Sequence, residues 1–111
     1  MRFLVRALLI ICLGVAVSAR AAAPIGSSIH IVGDNGKYVT ADSTDNILSA
    51  TKTAPGAYET FTIEDAGGGL IALKCTGNNL YVVAEGAGSQ RLAADRPSPG
   101  AWEKFTWVGT T

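Results

Sequence analysis

Gly100-Ala101-Trp102-Glu103-Lys104-Phe105 restates a stretch 44 positions earlier, Gly56-Ala57-Tyr58-Glu59-Thr60-Phe61. Glycine, alanine, glutamate and phenylalanine recur, and a large aromatic holds the same place in both. The agreement spreads outward from there. Ile29 matches Ile71, Asn35 matches Asn78, and Tyr38-Val39 matches Tyr81-Val82. Ala41 matches Ala84, Leu48 matches Leu92, Ala50 matches Ala94, and Pro55-Gly56 matches Pro99-Gly100. The offset drifts from 42 to 44, as single insertions in turns would make it. A fixed internal period decides architecture before local propensity does. The chain reads as two copies of one unit, residues 29–66 and 70–108.

Each unit reads as four short strands. In the first these are residues 29–31, 38–41, 47–50 and 58–63; in the second, 71–75, 81–84, 91–94 and 102–108. The segments are rich in Val, Ile, Tyr and Thr, which suit a pleated, half-buried surface. Turn signals separate them, notably Asn35-Gly36, Gly77-Asn78-Asn79 and the run Gly67-Gly68-Gly69, read as a break between units. No segment after the first two dozen residues suggests a helix longer than a turn. Four strands in about 42 residues fit a propeller blade or one third of a β-trefoil. Two blades make no propeller, so the trefoil is the better expectation.

The first 21 residues read as a secretory signal peptide. Arg2 and Arg6 precede an apolar run over 7–17, followed by Ser18, Ala19, Ala21 and Ala22. Eleven apolar residues fall short of the roughly 20 that span a bilayer. Cleavage is expected after Ala19 or Ala21, leaving a short N-terminal segment, 22–28, before the repeats. Ile11 ahead of Cys12 argues against a lipoprotein signal. Removing the leader takes Arg2, Arg6 and Arg20, so six basic residues face nine acidic ones, a net charge of −3. With no basic run, nucleic acid and anionic membrane surfaces are poor partners. The remaining cysteine, Cys75, alternates with Ile71 and Leu73 and is expected to face inward.

The order Asn-Gly, Lys-Tyr-Val, Leu-x-Ala, then Gly-x-aromatic-Glu-x-Phe resembles the repeat of the fascin-like β-trefoil family. It is carried by Asn35-Gly36-Lys37-Tyr38-Val39, Leu48-Ser49-Ala50 and residues 56–61, and again by Tyr81-Val82, Leu92-Ala93-Ala94 and residues 100–105. The resemblance implies a pseudo-threefold barrel of hairpins closed by a hairpin cap. Animal domains of the family bundle actin, and similar domains in secreted microbial proteins look like carbohydrate-binding modules. The family's fold needs three units and this sequence carries two, an incomplete trefoil. Three arrangements accommodate that: a truncated remnant, other copies supplying the missing unit, or residues before Ile29 plugging the gap. Self-association to complete the trefoil is the expectation taken forward.

Strand alternation places Phe61, Ile63, Phe105 and Trp107 on one face, as core, with Glu59 and Glu103 beside them. Those two glutamates, at strand starts, are expected to accept turn N–H groups rather than to act as catalytic acids. Tyr58 and Trp102 lie off that face. A flat aromatic beside polar side chains holds a sugar ring by its C–H face while carboxylates and amides take its hydroxyls. The neighbours with that chemistry are Asp42 and Asn46 in the first unit and Glu85 and Gln90 in the second. The competing reading is that the two aromatics cover the hairpins or pack between units.

The catalytic inventory is short. His30 and Cys75 do not make a zinc set, no serine stands in a defensible triad, and no glycine-rich loop opens a helix. Glu64 and Asp65 are adjacent on a strand and so point to opposite faces. The expectation is a secreted, non-catalytic, lectin-like carbohydrate-binding module for a polysaccharide or glycan, without cofactor or metal. The alternative is a structural or protein-interaction trefoil of the actin-crosslinking kind.

Overall fold

The computed structural model describes residues 22–108. The expected signal peptide, 1–21, lies outside the described residues. The described chain is all-β, with eight strands and no α-helix: β1 (Ser28–Ile29), β2 (Tyr38–Ala41), β3 (Leu48–Lys52), β4 (Phe61–Gly67), β5 (Leu70–Cys75), β6 (Tyr81–Ala84), β7 (Leu92–Arg96) and β8 (Phe105–Thr106). Every pairing is antiparallel. One sheet runs β1-β4-β5-β6-β7 with β8 also on β5, and β2-β3 forms a separate hairpin. No helix among these residues is long and apolar enough to cross a membrane.

The two halves share their registers. In the first hairpin Tyr38 faces Lys52, a register shift follows, and Val39 faces Ala50. In the second, Tyr81 faces Arg96, the same shift follows, and Val82 faces Ala94. The junctions agree as well: Ser28–Thr62 and Ile29–Phe61 correspond to Leu70–Thr106 and Ile71–Phe105. The Val32–Tyr38 bridge corresponds to the Lys74–Tyr81 pair.

Side-chain amides set the turns that make these registers. Asn35 Nδ2 donates to the carbonyl of Ala50 at 3.0 Å, and Asn78 Nδ2 to that of Ala94 at 3.0 Å. Each Oδ1 in turn accepts a backbone N–H two residues on, from Lys37 or Leu80. An asparagine satisfying its own turn in this way competes with continued strand and fixes where the chain reverses.

Two expected boundaries are corrected. The strands expected to open at Tyr58 and Trp102 begin as 3₁₀ turns, Ala57–Glu59 and Ala101–Glu103. Each glutamate folds back so that Oε1 accepts the N–H of Gly56 or Gly100, while its own N–H bonds the same glycine's carbonyl. The glycines allow that approach, since a Cβ would stand 3.1 Å or 3.0 Å from the carboxylate. Glu59 and Glu103 thus accept turn N–H bonds, as expected, but inside a turn rather than a strand. The glycines at 67, 68 and 69 lie at the turn between β4 and β5. All three have positive φ, 85°, 61° and 81°, and they turn β4 directly into β5 as a hairpin.

The core joins Ile29, Ile31, Val39, Leu48, Phe61, Ile63, Ile71, Leu73, Cys75 and Val82, with Ala23 packed against it. Residues before β1 continue along β4: Gly26 donates to the Ile63 carbonyl and Ile63 donates to that of Ser27. Cys75 is fully buried, as its alternation implies. Phe61 and Ile63 are also fully buried, and each contributes about 1.5–3 kcal/mol by removal from water. Phe105 and Trp107 pack against this core while remaining half-buried. β4 lies between β1 and β5, whereas β8 is a two-residue strand at the margin of the sheet.

Candidate functional site

The cleft that the fold builds in its first half starts from Tyr58. The 3₁₀ turn Ala57–Glu59 packs against β2 and lifts the central residue outward, so Tyr58 remains 37% exposed while Glu59 is buried. The ring rests on the backbone of Gly77, whose missing side chain makes room for it. Beside it lies a cleft of about 160 Å³ lined by Thr40, Ala41, Asp42, Ser43, Thr51, Lys52, Tyr58 and Glu59. That is shallower than the roughly 300 Å³ and upward of a deep ligand pocket.

The polar lining is set by local geometry. Asp42 follows β2, and its Oδ1 accepts the N–H of Thr44 at 2.7 Å. That backbone hydrogen bond holds the carboxyl below the ordinary aspartate value, with a smaller contribution from Lys52 at the end of β3. Glu59 is already engaged, with Oε1 on Gly56 N–H and Oε2 accepting the Thr40 hydroxyl at 2.5 Å. An ionised acceptor, an ammonium donor, three aliphatic hydroxyls and an aromatic therefore border one small opening. Such a set can bind a polyol, and the committed hydrogen bonds of Glu59 make it a wall rather than a proton donor.

The six residues singled out from sequence separate into three groups. Tyr58 and Asp42 share the cleft. Asn46 does not join them: with φ at 63°, its Oδ1 accepts from Asn78 Nδ2 and its carbonyl accepts the Ala94 N–H. It braces one half of the molecule against the other. Glu85, Gln90 and Trp102 lie in the second half. Glu85 is ion-paired with Arg96, Gln90 is exposed, and Trp102 is 47% exposed on a turn packed against β6 and the 3₁₀ turn Glu85–Gly88.

Sequence reasoning missed Lys52, Thr40, Ser43 and Thr51 as lining. The available signal was the pairing of each hairpin's first tyrosine with a cation, Lys52 or Arg96. Elsewhere the Tyr81 hydroxyl donates to Glu64 Oε1 at 2.6 Å, which raises the phenol's pKa, and Lys74 Nζ sits 5.5 Å from that ring's centroid. Among the described residues no group of three or more His, Cys, Asp or Glu side chains is placed to hold a metal ion. Compared with known proteins, the sequence matches no family model and no curated protein.

Proposed function

We propose that the chain is a secreted, non-catalytic carbohydrate-binding module of incomplete β-trefoil architecture. The β-trefoil reading draws support from the shared registers and junctions of the two halves and from the motif order 35–61 repeated at 78–105. The observation that carries the binding reading is the exposed Tyr58 ring beside Asp42, Ser43, Thr51 and Lys52 in one shallow cleft. A pyranose offers an apolar C–H face to the ring and vicinal hydroxyls to the carboxylate and ammonium. The bound group is a single sugar unit of a longer chain, held weakly and strengthened by repeated contacts along a polymer.

The test is a pull-down on insoluble cellulose, chitin, xylan and β-1,3-glucan, with titration of the corresponding soluble hexasaccharides. At least one should bind, and Tyr58→Ala should weaken it by about tenfold or more, the loss of an aromatic contact of 1.4 kcal/mol or above. A folded protein that binds none of these, or a Tyr58→Ala variant that binds as well as the wild type, overturns the proposal.

A further inference from the structure

The first half's cleft has a counterpart position in the second half, and it is occupied differently. Asp42 and Glu85 each follow the last residue of a matching strand, and Lys52 and Arg96 each face the opening tyrosine of the hairpin. Tyr58 and Trp102 are the central residues of matching 3₁₀ turns. In the first half both charged residues are exposed and no ion pair joins them. In the second, Arg96 Nη2 donates to Glu85 Oε1, and Arg96 Nη1 lies 3.4 Å from Asp95 Oδ1. The side chains of Arg96 and Glu85 are 37% and 22% exposed. Glutamate is one methylene longer than aspartate, and arginine outreaches lysine, so the second pair closes where the first stays apart.

The closed pair holds the positions that match Asp42 and Lys52 of the first cleft, and the turn carrying Trp102 packs against the turn that opens with Glu85.

We infer that the Glu85–Arg96 ion pair is a latch over a second saccharide site with Trp102 as its platform. This rests on the reading of the first cleft and assigns the same ligand class, a neutral sugar unit. The latch makes the two halves unequal, one open and one closed, and gives the second a dependence on ionic strength. A partly exposed pair of this kind biases an equilibrium by up to about fivefold.

The experiment uses tryptophan emission, because the first cleft contains a tyrosine and the second a tryptophan. The mature chain and the Glu85→Asp/Arg96→Lys variant, which installs the first half's pair in the second, are titrated with each soluble hexasaccharide. The variant should show an emission change abolished by Trp102→Phe, at a midpoint about fivefold lower than the wild type. The wild type in 1 M NaCl, where the screening length falls to about 3 Å and this contact pair is weakened rather than abolished, should shift in the same direction by a smaller amount. Wild-type binding through Tyr58, with no Trp102-dependent change in the variant or at high salt, overturns the latch and leaves the first cleft's reading intact. Binding by the variant through Trp102 alone supports the latch and overturns the first cleft. No binding by either protein overturns both.

Discussion

Tyr58 lies over Gly77 so closely that a methyl group on that glycine would fall 2.6 Å from the ring. The two residues belong to different halves, so the exposed aromatic of one half is seated on the backbone of the other. Gly77→Ala is an overpacking substitution, expected to cost about 1–3 kcal/mol and to push the ring off its seat. Urea denaturation should show the loss of stability. Saccharide titration should show binding weakened by more than the unfolded fraction accounts for.

The two folded-back glutamates are not equivalent. Glu59 has the Thr40 hydroxyl on its second oxygen, whereas the residue matching Thr40 in the second half is Val83. Thr40→Val leaves a buried carboxylate oxygen without its donor, at a cost of about 1–3 kcal/mol. Val83→Thr adds a hydroxyl beside Glu103 and should change stability by less. Chemical denaturation of both variants decides it, and equal losses would contradict the asymmetry.

Asn78 holds three groups at once: the Ala94 carbonyl, the Asn46 side chain and the Leu80 N–H. Asn78→Ala removes the donor and acceptor together, and about 1–3 kcal/mol per orphaned buried group is expected. Asn35, its counterpart, is exposed and lacks the bond to a second asparagine. Asn35→Ala should cost less, as thermal unfolding of the pair would show.

Burial raises the pKa of the Cys75 thiol above its ordinary value of 9.0. In the unfolded chain the thiol ionises near that value, while in the folded chain it stays protonated. Above it the unfolded state binds fewer protons, so this group's contribution to stability is intact below pH 9.0 and declines as pH rises beyond it. A disulfide reagent should modify Cys75 only at the rate of unfolding. Reaction as fast as that of a free thiol would contradict its burial.

The repeat was legible because its determinants are side chains that bond nearby backbone: Asn35 and Asn78 in turns, and Glu59 and Glu103 folded onto glycines. Such residues recur at fixed spacing. The 3₁₀ turns were not legible, because Ala-Tyr-Glu and Ala-Trp-Glu alternate in exposure as a strand would: Tyr58 out, Glu59 in. Of the candidate residues, Tyr58 and Asp42 border one cleft, while Asn46 is engaged by Asn78, a partner that an asparagine's place in a polar loop does not reveal. The difference between Asp42–Lys52 and Glu85–Arg96 is only side-chain reach, which a sequence pattern of like charges conceals.

Loop 42–46 has a different job at each end. Asp42 borders the cleft, its carbonyl accepts the Asn46 N–H, and the Asn46 carbonyl accepts the N–H of Ala94 in the other half. A sugar immobilising Asp42 would therefore slow the opening of a hydrogen bond outside the cleft. Occupancy should be readable by amide exchange: protection at Ala94 should rise on addition of saccharide, and exchange there should be unchanged if the loop transmits nothing. The loop would then act as a reporter, coupling what is held at the surface to how tightly the halves are fastened.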